Sequence, residues 1–203
     1  MHHGKPFDDT DVDRLYEVFT PMNAASVRDH ADFIPGALDT IRAVRARGLK
    51  VGSTTGYNRA IMEVVLPIAA AAGYSPDNLV CAGDLPQGRP SPLMMYRSFA
   101  DLGVWPAHTV VKVDDTAPGI EEGLSAGTWT VGLAVSGNAM GLTLAEWSAL
   151  DEGAQAERRA DATRQLSEAG AHYVIDTVAS LMPVLDDIEQ ALRDGARPMQ
   201  SAA

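Results

Sequence analysis

The stretch VKVDDTAPGIEEG, residues 111–123, places two adjacent carboxylates directly after an apolar run. It predicts a strand that ends at Asp114 and Asp115 and continues into a helix near Pro118. Two neighbouring carboxylates repel each other unless a cation joins them, and oxygen ligands at a strand end suit Mg²⁺ with a phosphate substrate. Alternatively, one aspartate caps the helix while the other is solvated. The stretch therefore predicts either a metal site or a helix cap at this junction.

Strands and helices alternate with short connections on both sides of this stretch. This order predicts an α/β fold with a Rossmann-like parallel sheet that helices cover on both faces. Ligands of such folds bind beyond the carboxyl ends of the strands. The predicted strands are LKVGS (49–53), NLVCA (78–82), TVVKV (109–113), TWTVGLA (128–134) and HYVID (172–176).

The first 31 residues have a different pattern, which predicts part of a helical module. DDTDVDRLYEVF (8–19) is predicted to be a helix with Asp8 or Thr10 as its N-cap, and NAASVRDHA (23–31) a second short helix after Pro21. From Ile34 onward the regular alternation begins.

The composition excludes several classes of protein. A net charge of -11 disfavours a nucleic-acid partner, which recruits basic surfaces. The single cysteine, Cys81, excludes an internal disulfide framework and any multi-cysteine metal site. No apolar run approaches the roughly 20 residues that a membrane span needs, and the first residues, MHHGKPFDD, lack an apolar signal region. We therefore expect a cytoplasmic protein without a membrane partner.

Polar residues also follow the two strands that precede TVVKV. Thr54, Thr55 and Gly56 follow LKVGS, where hydroxyls and an open backbone suit a phosphate. Arg89 follows NLVCA, between a glycine and a proline, and its planar fork matches two phosphoryl oxygens. Taken alone, the threonines could merely cap the next helix and Arg89 could be a surface arginine. Together with the acidic pair, they predict a Mg²⁺-assisted phosphoryl-type site.

The order hydroxyl, basic residue, acidic pair resembles the haloacid dehalogenase superfamily. The segments GSTTGY (52–57), GRPSP (88–92) and VKVDDTAPGIEEG resemble its phosphonoacetaldehyde hydrolase (phosphonatase) family more closely. The resemblance extends from about residue 5 to about residue 195. It implies Mg²⁺-dependent cleavage of the carbon–phosphorus bond of phosphonoacetaldehyde to acetaldehyde and phosphate, by an enzyme that pairs through cap helices into a homodimer.

By this resemblance, Thr55, Gly56, Tyr57 and Arg89 would bind the phosphonate group. Asp115 would be the principal Mg²⁺ ligand, with Asp114 supporting it directly or through water. Some relatives have glycine at position 114 and an acid at position 119, whereas this chain has Asp114 and Gly119. The division of labour between Asp114 and Asp115 therefore stays open.

Two catalytic residues of the family have no match in this sequence. The family begins with a strand ending in D-x-A-G-T, whose first aspartate is the nucleophile, and a cap lysine forms a Schiff base with the aldehyde. FDDTD (7–11) lacks the alanine–glycine pair and a preceding buried strand. The lysines are Lys5, Lys50 and Lys112; the last two belong to predicted strands, and Lys5 lacks the matching context.

We therefore expect an N-terminally incomplete family member. Residues 1–31 would be a remnant of the helical cap, and residues 32–203 a core without its first βα unit. The absent strand would lie between the LKVGS and TVVKV strands, and this chain alone would have negligible activity. The alternatives are another phosphatase of the superfamily and a non-catalytic relative that binds Mg²⁺ or phosphate, for example beside a complete subunit.

Overall fold

The computed structural model of the protein describes residues 8–198, in which helices alternate with parallel strands. The predicted α/β class is confirmed. The strands are β1 (Gly52–Asn58), β2 (Asn78–Ala82), β3 (Val111–Asp114), β4 (Trp129–Leu133) and β5 (Tyr173–Ile175). The α-helices of this part of the chain are α1 (Asp9–Asp29), α2 (Ala37–Ala46), α3 (Arg59–Ala71), α4 (Leu93–Leu102), α5 (Ala117–Ser125), α6 (Leu144–Ala149), α7 (Glu152–Glu168) and α8 (Leu181–Arg193).

The strands form two separate parallel sheets, one of β1 and β2 and one in the order β3-β4-β5. Among residues 8–198, β1 pairs with no strand except β2, and β3 pairs with none except β4. The division between β1 and β3 is where the sequence predicts an absent strand. Side chains rather than backbone hydrogen bonds therefore have to join the two sheets at this position.

The three-stranded sheet carries the main core on its two faces. Along β4, Trp129 and Val131 point to the α8 side, while Gly132 points to α7, because successive strand residues face opposite ways. The cluster on the α8 side is Trp129, Val131, Leu181, Val184 and Ile188. The cluster on the side of α5 and α7 is Ile120, Leu124, Ala134, Met140, Ala162 and Leu166.

Helix α1 corrects the prediction of two short helices at the N-terminal end. It runs without interruption from Asp9 to Asp29 and contains Pro21 in its interior. Asp8 is the N-cap, because its carboxylate accepts a hydrogen bond from the Asp11 N–H at 2.9 Å, so the alternative cap, Thr10, lies inside the helix. The helix packs beside α3, and it contributes no buried residue of its own.

Strand β1 also departs from its predicted bounds. The prediction was LKVGS followed by a TTGYN loop, but β1 begins at Gly52 and includes Thr54–Asn58. Its register with β2 shifts between Thr55 and Asn58, so the end of the strand is irregular. The predicted phosphate-binding residues therefore lie on the distorted last part of a strand rather than in a free loop.

Among the residues that the structure describes, no helix is both long and apolar enough to cross a membrane.

Candidate active site

The irregular end of β1 places three predicted ligand-binding residues on one cavity. Thr55, Gly56 and Tyr57 all line it. The Thr55 hydroxyl oxygen accepts a hydrogen bond from the Tyr57 N–H at 3.1 Å, which leaves its own O–H free to donate. A Cβ built on Gly56 meets nothing within 4 Å, so the backbone is open to the cavity. This strand end can thus present a hydroxyl donor and an accessible backbone to an anion.

Arg89 reaches the same cavity from the loop after β2. Its Nη2 donates to the Thr54 carbonyl oxygen at 2.7 Å and lies 3.2 Å from Asp114 Oδ2. The side chain is only 18% exposed, so its guanidinium is held in one orientation. Nη1 has no acceptor among residues 8–198 and remains available to an anionic ligand.

The two aspartates after β3 have different surroundings. Asp114 is buried, and its Oδ1 accepts hydrogen bonds from the Thr116 N–H at 3.1 Å and the Thr116 hydroxyl at 2.8 Å. Its Oδ2 lies 3.2 Å from Arg89 Nη2 and 3.3 Å from Lys112 Nζ. Both carboxylate oxygens of Asp114 are therefore already occupied below the cavity floor.

Asp115, in contrast, lines the cavity. Its Oδ2 accepts a hydrogen bond from the Asn138 N–H at 2.7 Å, and Oδ1 has no donor in the described part of the chain. A Cβ at Gly137 would lie 2.7 Å from Asp115 Cβ and 2.2 Å from the Leu133 carbonyl oxygen, so only glycine permits this approach. The turn after β4 therefore orients Asp115. With this turn, a fourth strand contributes residues at its carboxyl end to the site.

Sequence reasoning missed this turn, although a signal was available. Ser136, Gly137 and Asn138 follow the predicted TWTVGLA strand, just as the other site residues follow their strands. The Ser136 hydroxyl oxygen is buried and has no hydrogen-bond partner among the described residues. Examining the end of every predicted strand would have found these residues.

The cavity itself has a volume of about 1050 Å³. Tyr16 and Phe19 of α1 form part of its wall, opposite the strand ends. On its rim, Glu146 accepts hydrogen bonds from the Thr143 N–H and hydroxyl, and these bonds lower the pKa of the Glu146 carboxyl. No lysine is among the described residues that line the cavity.

The surroundings of Asp115 fit a Mg²⁺ ion, although no group of three or more His, Cys, Asp or Glu side chains in residues 8–198 could hold a metal by itself. Mg²⁺ is usually bound by one or two carboxylates plus waters and substrate oxygens. Asp115 offers one carboxylate oxygen without a donor, facing a cavity that Thr55 and Arg89 also line. Asp114 would support this site from below, because its own oxygens are already engaged.

The two lysines of the described residues contact other protein groups, but only Lys112 lies within a strand as predicted, whereas Lys50 lies outside β1. Lys112 is within β3, and its Nζ lies 2.7 Å from Glu122 Oε2. Lys50 lies just before β1 and donates to the Leu102 carbonyl oxygen. Two of the residues considered in the sequence lie outside the described residues: Lys5, and Phe7 at the start of FDDTD.

Comparison with known proteins identifies the family. Residues 3–127 match the family described as haloacid dehalogenase-like hydrolase. The chain is 51% identical to the phosphonoacetaldehyde hydrolase of Paraburkholderia xenovorans, over 97% of this chain and 73% of that protein. It is 50% identical to the enzyme of the same name from Paraburkholderia phytofirmans, with the same shares of the two chains.

A solved structure has the same fold. The phosphonoacetaldehyde hydrolase-like protein from Oleispira antarctica superposes with a TM-score of 0.93 and is 42% identical, over 96% of this chain and 71% of that one. The sequence identities, their coverage and the shared fold lead to one conclusion: the chain belongs to the phosphonoacetaldehyde hydrolase family of haloacid dehalogenase-like hydrolases.

Proposed function

We propose that this chain carries the phosphonate- and Mg²⁺-binding part of a phosphonoacetaldehyde hydrolase. The observation that carries the proposal is the convergence of Thr55, Arg89 and Asp115 on one cavity from three separate strand ends. A hydroxyl donor, a guanidinium and a free carboxylate oxygen are what a phosphonate–Mg²⁺ complex requires. Relatives that are about half identical have the name of this enzyme.

Each residue has a separate task in this proposal. Arg89 binds the phosphonate oxygens through Nη1 while the Thr54 carbonyl and Asp114 hold its Nη2 in place. The Thr55 hydroxyl donates to a phosphonate oxygen, and Tyr57 borders the site. Asp115 would hold Mg²⁺, which when bound neutralises charge on the phosphonate oxygens.

The covalent steps of carbon–phosphorus cleavage need two more groups. The family resemblance implies a nucleophilic aspartate and a Schiff-base lysine, and the described residues that line the cavity include no lysine. We therefore propose that residues 8–198 bind and orient the phosphonate and do not by themselves hydrolyse it. The domain boundaries of residues 1–31 and 32–203 belong to the same proposal.

The experiment that tests this function combines binding with turnover. Calorimetry should show that the chain binds inorganic phosphate in the presence of Mg²⁺, while acetaldehyde release from phosphonoacetaldehyde stays at background. Asp115→Asn should remove the Mg²⁺ dependence with little loss of stability, because the amide oxygen can still accept from the Asn138 N–H. Asp187→Asn, the same change at an exposed position of α8 outside the cavity, is the matched control and should bind as the unmodified chain does.

A non-catalytic relative is the second candidate, favoured by the absence of lysine from the described cavity wall. This candidate would be favoured if the chain binds phosphate without turnover. A complete family member that is added to the chain should then keep an unchanged rate of phosphonoacetaldehyde cleavage. A chain that binds neither Mg²⁺ nor phosphate would contradict both candidates.

Location and assembly are proposals as well. We infer a cytoplasmic protein, because a single cysteine and no disulfide suit a reducing compartment. We infer pairing into a homodimer from exposed apolar side chains of α1, among them Leu15, Val18 and Met22. Size-exclusion chromatography with light scattering tests the pairing.

A further inference from the structure

A buried charge cluster lies beneath the candidate site, and the proposed chemistry does not use two of its members. Glu122 on α5 has a fully buried side chain, and that of Lys112 on β3 is only 8% exposed. Neither residue lines the cavity. Lys112 Nζ lies 2.7 Å from Glu122 Oε2, 2.6 Å from Thr54 Oγ1 and 3.3 Å from Asp114 Oδ2. The three N–H donors of this lysine thus have three acceptors.

The cluster spans the division between the two sheets. The Thr54 hydroxyl on β1 donates to Glu122 Oε2 at 2.9 Å and accepts from Lys112 Nζ. Among the described residues, β1 and β3 share no backbone ladder. The side chains of Glu122 and Lys112 therefore fix the distance between the strand end that carries Thr55 and the strand end that leads to Asp115.

The same cluster surrounds the guanidinium of Arg89. Arg89 Nε lies 3.2 Å from Glu122 Oε2, and Nη2 lies 3.2 Å from Asp114 Oδ2. The Nε–H is not aligned for a hydrogen bond, so Glu122 attracts it as a nearby charge rather than as a linear acceptor. Two carboxylates on one side of the guanidinium leave its other side turned to the cavity.

Stability alone explains this cluster poorly. Burying charges costs desolvation energy that their mutual attraction often fails to recover, and apolar replacements are frequently as stable. Glu122 Oε1 is buried and has no hydrogen-bond partner in the described part of the chain, which adds to that cost. A buried carboxylate that is incompletely satisfied, yet placed against Arg89, is better explained by what it orients.

We propose that Glu122, held by Lys112 and Thr54, is the positioning residue for the phosphonate-binding Arg89. This inference rests on the proposed function, because it assumes that Arg89 binds the phosphonate group. Glu122 does not touch the ligand; it sets the direction of the guanidinium and, through Thr54, the separation of the two strand ends.

The variant Glu122→Gln distinguishes a positioning role from a simple charge effect, because the two predict opposite changes in the affinity for phosphate. Removing a negative charge beside Arg89 would by itself strengthen the binding of an anion. Losing the carboxylate charge that orients Arg89 should instead weaken phosphate binding by about tenfold. The matched control is Glu121→Gln, the same change at an exposed position of the same helix, which should leave the affinity unchanged.

The measurement is calorimetric titration of the full chain with inorganic phosphate and Mg²⁺, with circular dichroism confirming that each variant is folded. Weaker binding by Glu122→Gln, with Glu121→Gln unaffected, supports the proposal. Unchanged or tighter phosphate binding by folded Glu122→Gln overturns the proposal. This also holds if the variant is less stable than the unmodified chain but binds phosphate equally well.

A second measurement keeps the test independent of the proposed function. Phenylglyoxal modifies arginine side chains, and peptide mass spectrometry gives the rate at Arg89 alone. The rate should rise in Glu122→Gln and stay unchanged in Glu121→Gln. If the unmodified chain binds no phosphate, the proposed function fails, and an equal Arg89 rate in all three proteins would then overturn the positioning role too.

Discussion

At the residue scale, Gly119 and Asp114 occupy one small space. A Cβ built on Gly119 would lie 2.0 Å from Asp114 Cγ, closer than any pair of unbonded atoms can approach. An acid at position 119 therefore excludes an aspartate at position 114 and would place its own carboxylate in the same region. Positions 114 and 119 therefore have room for one carboxylate side chain between them.

This geometry predicts the outcome of a two-residue exchange. Gly119→Asp alone should lower the free energy of unfolding by about 1–3 kcal/mol, the usual cost of overpacking. Adding Asp114→Gly should recover most of that loss, because it removes the atoms with which the new side chain collides. Urea denaturation of the single and double variants measures both values, and a double variant no more stable than Gly119→Asp would contradict the shared space.

Sequence reasoning found residues that line the cavity and missed those that support them. Thr55, Arg89 and Asp115 follow predicted strands, and the carboxyl ends of parallel strands are where ligands of α/β folds bind. Thr54 and Glu122 are separated by 68 positions, so nothing local in the sequence indicates their hydrogen bond. Lys112 was correctly placed within a strand, but only the fold shows which carboxylate it meets.

At the scale of elements, the differences from prediction have local physical causes. Pro21 was predicted to separate two helices, but α1 continues through it and lacks the backbone hydrogen bond that a proline cannot donate. The strand β1 starts three residues later than predicted because apolar character, which guided the bounds, does not report the hydrogen bonds that define a strand. The β2 bounds agree with the prediction, since NLVCA is short and flanked by turn residues.

The interior position of Pro21 gives a prediction for α1. Pro21→Ala should slow amide hydrogen exchange across the helix, because the alanine N–H can bond to the preceding turn and the ring no longer crowds it. A comparable change at Pro118, in the first turn of α5, should have little effect, since that N–H has no partner within the helix. Amide hydrogen exchange measured by mass spectrometry tests this prediction. Equal effects of the Pro21 and Pro118 substitutions on the exchange rates would contradict it.

At the scale of the whole molecule, Asp77 connects α2 to the two-stranded sheet. Its Oδ2 accepts a hydrogen bond from the Val51 N–H at 2.8 Å, and its Oδ1 lies 2.9 Å from Arg45 Nη1. The hydrogen bond from Val51 first, and the charge of Arg45 after it, lower the pKa of the Asp77 carboxyl below its ordinary value of 3.8. The connection thus depends on an ionised carboxylate.

The lowered pKa sets the pH range in which Asp77 stabilises the fold. A carboxyl whose pKa is lower in the folded state contributes its full stability above its unfolded pKa and loses it as the pH falls through the folded value. Asp77→Asn should therefore reduce the free energy of unfolding by up to about 1 kcal/mol at neutral pH, and the difference should shrink in acid. Urea denaturation across the pH range measures this, and Asp187→Asn, at an exposed position of α8, should show no such trend.

The lone thiol gives the molecule a built-in reporter. Cys81 is the single cysteine of the chain and is fully buried on β2, where burial raises its pKa. A thiol reagent can reach it only when the two-stranded sheet opens, whereas the three-stranded sheet carries no thiol at all. The rate at which a thiol reagent labels Cys81 in the unmodified protein therefore reports how often the two-stranded sheet opens, and no engineered probe is needed.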